Sequence, residues 1–100
     1  MPKITIEAWS SLSHLFELQT RKRHTWNMEI EEGSTLAGVL EKLAEDNPKF
    51  AETMYKPDSR DPSGVILVII NDRLPELLNG YETAVNEGDR IVLVQAYSGG

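Results

Sequence analysis

A chain of 100 residues carries one domain, and ten Lys or Arg against sixteen Asp or Glu leave it at −6, with a pI near 4.8. That balance argues against a phosphate-backbone ligand, and the absence of cysteine removes disulfides, thiolate metal ligation, iron–sulfur clusters and cysteine nucleophiles together. Apolar content of 40% is ordinary for a globular protein, no run approaches a membrane span, and Met1-Pro2-Lys3-Ile4-Thr5 has no signal-peptide pattern. A soluble cytoplasmic protein with neither membrane nor nucleic-acid partners is expected.

Residues 3–9 alternate strictly, with Ile4, Ile6 and Ala8 on one face and Lys3, Thr5 and Glu7 on the other, which predicts a half-buried strand. Residues 10–24 read as an elaborated connection that carries the basic run Arg21-Lys22-Arg23-His24. Residues 25–30 alternate again, with Trp26, Met28 and Ile30 inward, and two such runs in series predict an antiparallel pair. Ser34 or Thr35 then caps a helix whose Leu36, Val39, Leu40 and Leu43 share one face, with Glu41 and Glu45 on the polar side. Asn47-Pro48 stops it, because the proline disfavours helical geometry at the residue before it. Residues 49–64 hold Pro57, Pro62, Gly64 and several charges and read as a mobile loop, with at most a helical turn around Phe50–Tyr55.

Residues 65–70, Val-Ile-Leu-Val-Ile-Ile, are uninterruptedly apolar and mostly β-branched, as in a strand buried on both faces. A turn at Asn71-Asp72-Arg73 and a short helical turn over Leu74–Asn79, ended by Gly80, follow. After a second turn at Glu87-Gly88-Asp89, residues 90–97 form a last, mostly apolar strand. The order β-β-α-β-β predicts an α+β fold with one main helix on one face of a mixed sheet of four to five strands. Parallel pairing of the first and last strands at the sheet centre accounts for the apolar run of the last one. Two arrangements of the second sheet face are open. Either residues 65–70 and 91–97 expose an apolar patch there for a partner, or the 49–64 loop covers it.

Little in this chain could carry chemistry of its own. His14 and His24 are the only histidines and have no supporting cluster, so no metal site is assigned. The basic run at 21–24 reads as a solubilising loop tip, or as a docking spot for an acidic surface. The sharpest feature is Ser98-Gly99-Gly100. At a background glycine frequency of roughly 7%, two final glycines arise by chance in about one chain in two hundred. Lacking Cβ, a Gly-Gly segment threads a narrow channel in conformations closed to other residues. Four extended residues reach roughly 13 Å, enough to place a terminal carboxylate in another protein's active site.

The element order, the Gly88-Asp89 turn before a last apolar strand, and the terminal Gly-Gly together resemble the ubiquitin-like β-grasp sulfur carriers of the MoaD/ThiS type. Glu32-Gly33-Ser34-Thr35-Leu36 at the helix start and Val85-Asn86-Glu87-Gly88-Asp89-Arg90-Ile91 are similar to that family's usual punctuation. The resemblance implies a carrier rather than an enzyme: a single β-grasp domain over 1–97 followed by a flexible tail at 98–100. It implies that an E1-like enzyme adenylates the Gly100 carboxylate using ATP, and that a sulfur donor converts the adenylate to a thiocarboxylate. Gly99 supplies the slim tail, Ser98 and Tyr97 line its exit, and no cofactor is bound. The charged carrier then delivers sulfur within a complex, for example with the large subunit of molybdopterin synthase. Where molybdopterin-type carriers often show an aromatic-Pro-Pro segment, this chain reads Val94-Gln95-Ala96-Tyr97-Ser98. Residues 10–24 and 49–64 are insertions relative to the shorter thiamine carrier. Urm1-like and archaeal small modifiers, which join sulfur transfer to lysine conjugation, suit the length equally well, and a non-catalytic β-grasp binding module is a further alternative.

Overall fold

The computed structural model describes residues 1–9, 12, 15, 16, 24–59 and 61–96. Four strands, β1 (Lys3–Ala8), β2 (His24–Glu29), β3 (Ile66–Ile70) and β4 (Arg90–Gln95), form one sheet in the order β2-β1-β4-β3. The β1/β4 pair is parallel and the other two are antiparallel, so the first and last strands do lie together at the centre. This is the ubiquitin-like β-grasp arrangement, with helix α1 (Leu36–Asp46) against one face.

The sequence alternation sets the register. Ile4, Ile6 and Ala8 stand opposite Met28, Trp26 and His24. The three β1 residues are buried, while Trp26 and Met28 pack on the core's edge. Helix α1 begins where Thr35 leaves the extended conformation and its hydroxyl accepts the Gly38 N–H at 3.2 Å, which satisfies one of the first-turn donors. The Leu36 N–H is satisfied from outside the helix, by the Thr83 carbonyl at 2.9 Å. Leu36, Val39, Leu40 and Leu43 are all buried, as their spacing predicts.

Residues 48–54 depart from the expected loop. A second helix, α2 (Pro48–Met54), starts one residue after α1 ends. Pro48 serves both events: it disfavours helix at Asn47, and its fixed φ suits the first position of the next helix. The Asn47 side-chain amide donates to the Leu43 carbonyl at 2.9 Å and its own carbonyl accepts from the Ala51 N–H at 3.1 Å, so the corner is hydrogen-bonded on both sides. Phe50 and Met54 enter the same core as Leu36 and Leu40, with the Phe50 ring 5.1 Å from Phe16 and Phe16 5.2 Å from Trp26. The 49–64 segment therefore belongs to the helical layer, not to the far face of the sheet.

Two further expectations are corrected. β3 is an edge strand, so its run is not buried on both faces: Ile66, Val68 and Ile70 are buried, but Leu67 is 37% exposed and Ile69 half-buried. Gly80 does not terminate a single helical turn over 74–79. One 3-10 turn spans Pro75–Leu77, and Gly80, at φ +59°, opens a second over Gly80–Glu82.

The turn expected at Asn71-Asp72-Arg73 is present; it is a two-residue connection closed by the Ile70–Arg73 bridge, with Asn71 and Asp72 both at positive φ, as strand twist requires. Gly88, at φ +83°, turns the chain into β4 and its N–H donates to the Lys3 carbonyl at 2.9 Å. The Asp89 carboxylate accepts from the Asn86 N–H at 2.7 Å and from the Asn71 side-chain amide at 3.0 Å. The start of β4 is thus tied to β1 and to the β3 hairpin at once.

Candidate functional site

β1 and β4 run parallel, so both end at the same pole of the sheet, where β3 begins. The Trp9 N–H continues the ladder past β1 to the Leu93 carbonyl at 3.0 Å, and the Ala96 N–H extends that of β4 to the Val65 carbonyl at 2.8 Å. The β4 backbone is therefore held on the β1 side up to Leu93 and on the β3 side up to Ala96, the last described residue before the tail. Tyr97, Ser98, Gly99 and Gly100 lie outside the described residues, as do His14 and Arg21–Arg23 of the basic run. His24 sits on β2, half-buried, with its ring 5.9 Å from Trp26. Among the described residues no group of His, Asp and Glu could hold a metal ion, and no helix is long and apolar enough to cross a membrane.

The sheet face away from the helices leads to this pole. Strand alternation puts Val92 and Val94 of β4 on it, beside Ile69 and Leu67 of β3 in register. Val65 and Trp9 complete the row, 42% and 43% exposed, whereas Val92 and Val94 are buried by their neighbours. Of the two arrangements the sequence left open, neither holds in full: Trp9, Val65 and Leu67 are exposed along this row but Val92 and Val94 are buried, while α2 and the turn after it pack with the helices.

This face also holds a charge. Glu7, only 4% exposed, is the one buried charged or polar residue among those described. One carboxylate oxygen accepts from the Arg90 guanidinium, and the other accepts from the Trp9 indole N–H at 3.1 Å. Arg90 is drawn in because Thr5 pairs with it across the parallel ladder, which places its side chain on the Glu7 face. Glu7 thereby fixes the Trp9 indole beside the exit of the chain. Sequence reasoning missed both residues as site components. The available signal was Trp9 itself, an aromatic residue in phase with the outward positions of β1.

The ThiS family profile matches residues 16–100. The chain belongs to the ThiS family. No curated protein matches it by sequence. Among solved structures it is similar to SAMP1 from Haloferax volcanii, at 17% identity and a TM-score of 0.76 over 98% of this chain and 99% of that one. It is likewise similar to Urm1 from Trypanosoma brucei, at 20% identity and 0.75 over 98% and 95%. A putative molybdopterin converting factor subunit 1 from Pyrococcus furiosus follows at 15% identity and 0.70 over 97% and 100%. These likenesses show the same ubiquitin-like β-grasp fold. In this arrangement β4, which leads to the C-terminal residues, is paired with a strand on each side.

Proposed function

We propose that this protein carries sulfur on its C-terminus, with the Gly100 carboxylate as the reacting group. The carrying observation is that the central strand β4, hydrogen-bonded on both sides, delivers the chain at Ala96 beside an exposed apolar face, a short reach from Gly99-Gly100. In this reading a carboxylate oxygen of Gly100 attacks the α-phosphorus of ATP on an E1-like enzyme and pyrophosphate leaves. Hydrosulfide from a sulfur donor then attacks the acyl carbon and AMP leaves, so that one oxygen is replaced by sulfur. Trp9, Leu67 and Val65 flank the exit and dock the activating enzyme, while Tyr97, Ser98 and Gly99 thread its channel. ATP belongs to the enzyme, and the carrier binds no cofactor.

The receiving pathway is most like molybdopterin synthesis, with the large synthase subunit as acceptor. A second reading, as a protein modifier or tRNA-thiolation carrier, is favoured by the likeness to small archaeal modifier protein 1 and to Urm1. The test is intact-mass measurement after incubation with ATP, the activating enzyme and sulfide. The expected product is heavier by the difference between sulfur and oxygen, and a variant lacking Gly100 is expected to stay unchanged. Equal charging of that variant overturns the terminal-carboxylate mechanism. Gly-Gly remnants on lysines of other proteins in cells expressing the chain decide for the second reading over the first.

A further inference from the structure

On the opposite side of the molecule, α1, α2 and the turn after α2 enclose an open groove of about 520 Å³. It exists because the single-residue corner at Asn47 splays two helices whose facing residues, Ala44 and Ala51, are too small to fill the gap. With Tyr55 and Pro57 these alanines make an apolar floor. Among the described residues, Glu41, Glu45, Glu52 and Asp58 line its rim, with Lys56 as the one basic residue. Glu45, Glu52 and Asp58 are exposed there, so the described part of the rim presents more carboxylates than ammonium groups.

The occupant must match both properties. The carboxylate rim repels nucleic acid and anionic lipid headgroups. A trough open along its length suits the ridge of a helix rather than an enclosed small molecule. We propose that the α1–α2 groove docks a basic amphipathic helix of a partner protein, its aliphatic side chains on Ala44 and Ala51 and its Lys or Arg residues against Glu45 and Glu52. Glu45 lies on the side of α1 away from the sheet, so a protein engaged with the Trp9–Leu67 face leaves the groove accessible. The carrier can then hold two partners at once. The groove's binding does not depend on the chemistry assigned to the tail.

The test is a titration of the isotope-labelled full chain, followed by amide chemical shifts. The probe is a synthetic peptide with Leu at helical spacing and Arg elsewhere, with a Glu-for-Arg version as control. Saturable shifts are expected at Ala44, Ala51, Glu52 and Tyr55 with the basic peptide alone. The double variant Glu45→Lys/Glu52→Lys, both positions exposed, is expected to bind roughly tenfold more weakly. Ala51→Leu keeps every charge but fills the floor, and is expected to lose binding; retained affinity there overturns the proposal in favour of unspecific charge attraction. Shifts centred on Trp9, Leu67 and Val94 also overturn it. Concentration-dependent dimerisation of the chain alone, abolished by the double charge reversal, assigns the groove to a second copy and overturns it equally.

Discussion

Replacing Arg90 by Met tests how the buried carboxylate of the outer sheet face is held. The side chains of Glu7 and Arg90 are 6% and 47% exposed, so their contact is neither a surface pair nor a fully buried one. Exposed pairs contribute about 0–1 kcal/mol, whereas removing one partner of a buried pair costs about 3–5 kcal/mol. Arg90 is half in solvent and Glu7 keeps its bond from the Trp9 indole, which places Arg90→Met near 2 kcal/mol, roughly midway between these limits. For a domain of this length, that lowers Tm by roughly 8–16 °C. Glu7→Gln keeps an acceptor for Trp9 while removing the charge, and is expected to cost about 1 kcal/mol. The double variant should be more stable than the sum of the single losses, because no carboxylate then remains buried without its cation. Urea unfolding of the four proteins, followed by Trp fluorescence, measures the whole cycle. An Arg90→Met loss under about 0.5 kcal/mol, or strict additivity, refutes the claim that the guanidinium compensates a desolvated carboxylate.

Phe50→Ala is expected to cost about 3–5 kcal/mol by thermal unfolding, because the ring is fully buried between α2 and Phe16; a purely local loop would tolerate it. Thr35→Ala removes the α1 cap and should cost about 1 kcal/mol, with Thr35→Ser largely sparing it. Burial, and secondarily the negative charge of Glu76, raises the Tyr81 phenol above its ordinary value of 10.0. The folded state therefore holds this proton more tightly than the unfolded one. Its contribution to stability is complete below pH 10.0 and lost as pH rises through the folded-state pKa. Ultraviolet titration should show a late tyrosinate that Tyr81→Phe removes. Leu67→Asp, on an exposed edge position, should leave Tm nearly unchanged yet impair charging by the activating enzyme, as read by intact mass.

The parts of the fold governed by near-neighbour periodicity were legible in the sequence. The alternation over 3–8, the cap at Thr35 and the stripe Leu36-Val39-Leu40-Leu43 each state a local rule and obey it. Even the central parallel pair was accessible, since residues 91–94 are apolar on both faces and demand interior neighbours. The 48–54 helix was harder to see. Its signal, Phe50 and Met54 at helical spacing, sits between polar residues and behind a proline that also reads as a stop. For β3, unbroken apolarity is shared by a strand covered on both sides and by an edge strand offering a docking face, so composition cannot tell them apart. The Glu7–Arg90 contact was invisible because it joins positions separated by 83 residues and depends on the β1/β4 register. The roles proposed for Tyr97–Gly100 rest on the sequence alone.

The place of β4 in the chain also bears on how the protein is made. Among the described residues β3's only strand partner is β4, and β1 lacks its parallel neighbour until β4 arrives. Since β4 follows the other three described strands in the chain, the sheet closes only after they have been made, through contacts between distant parts of the sequence. A chain broken off before β4 therefore lacks the central strand on which both β1 and β3 close.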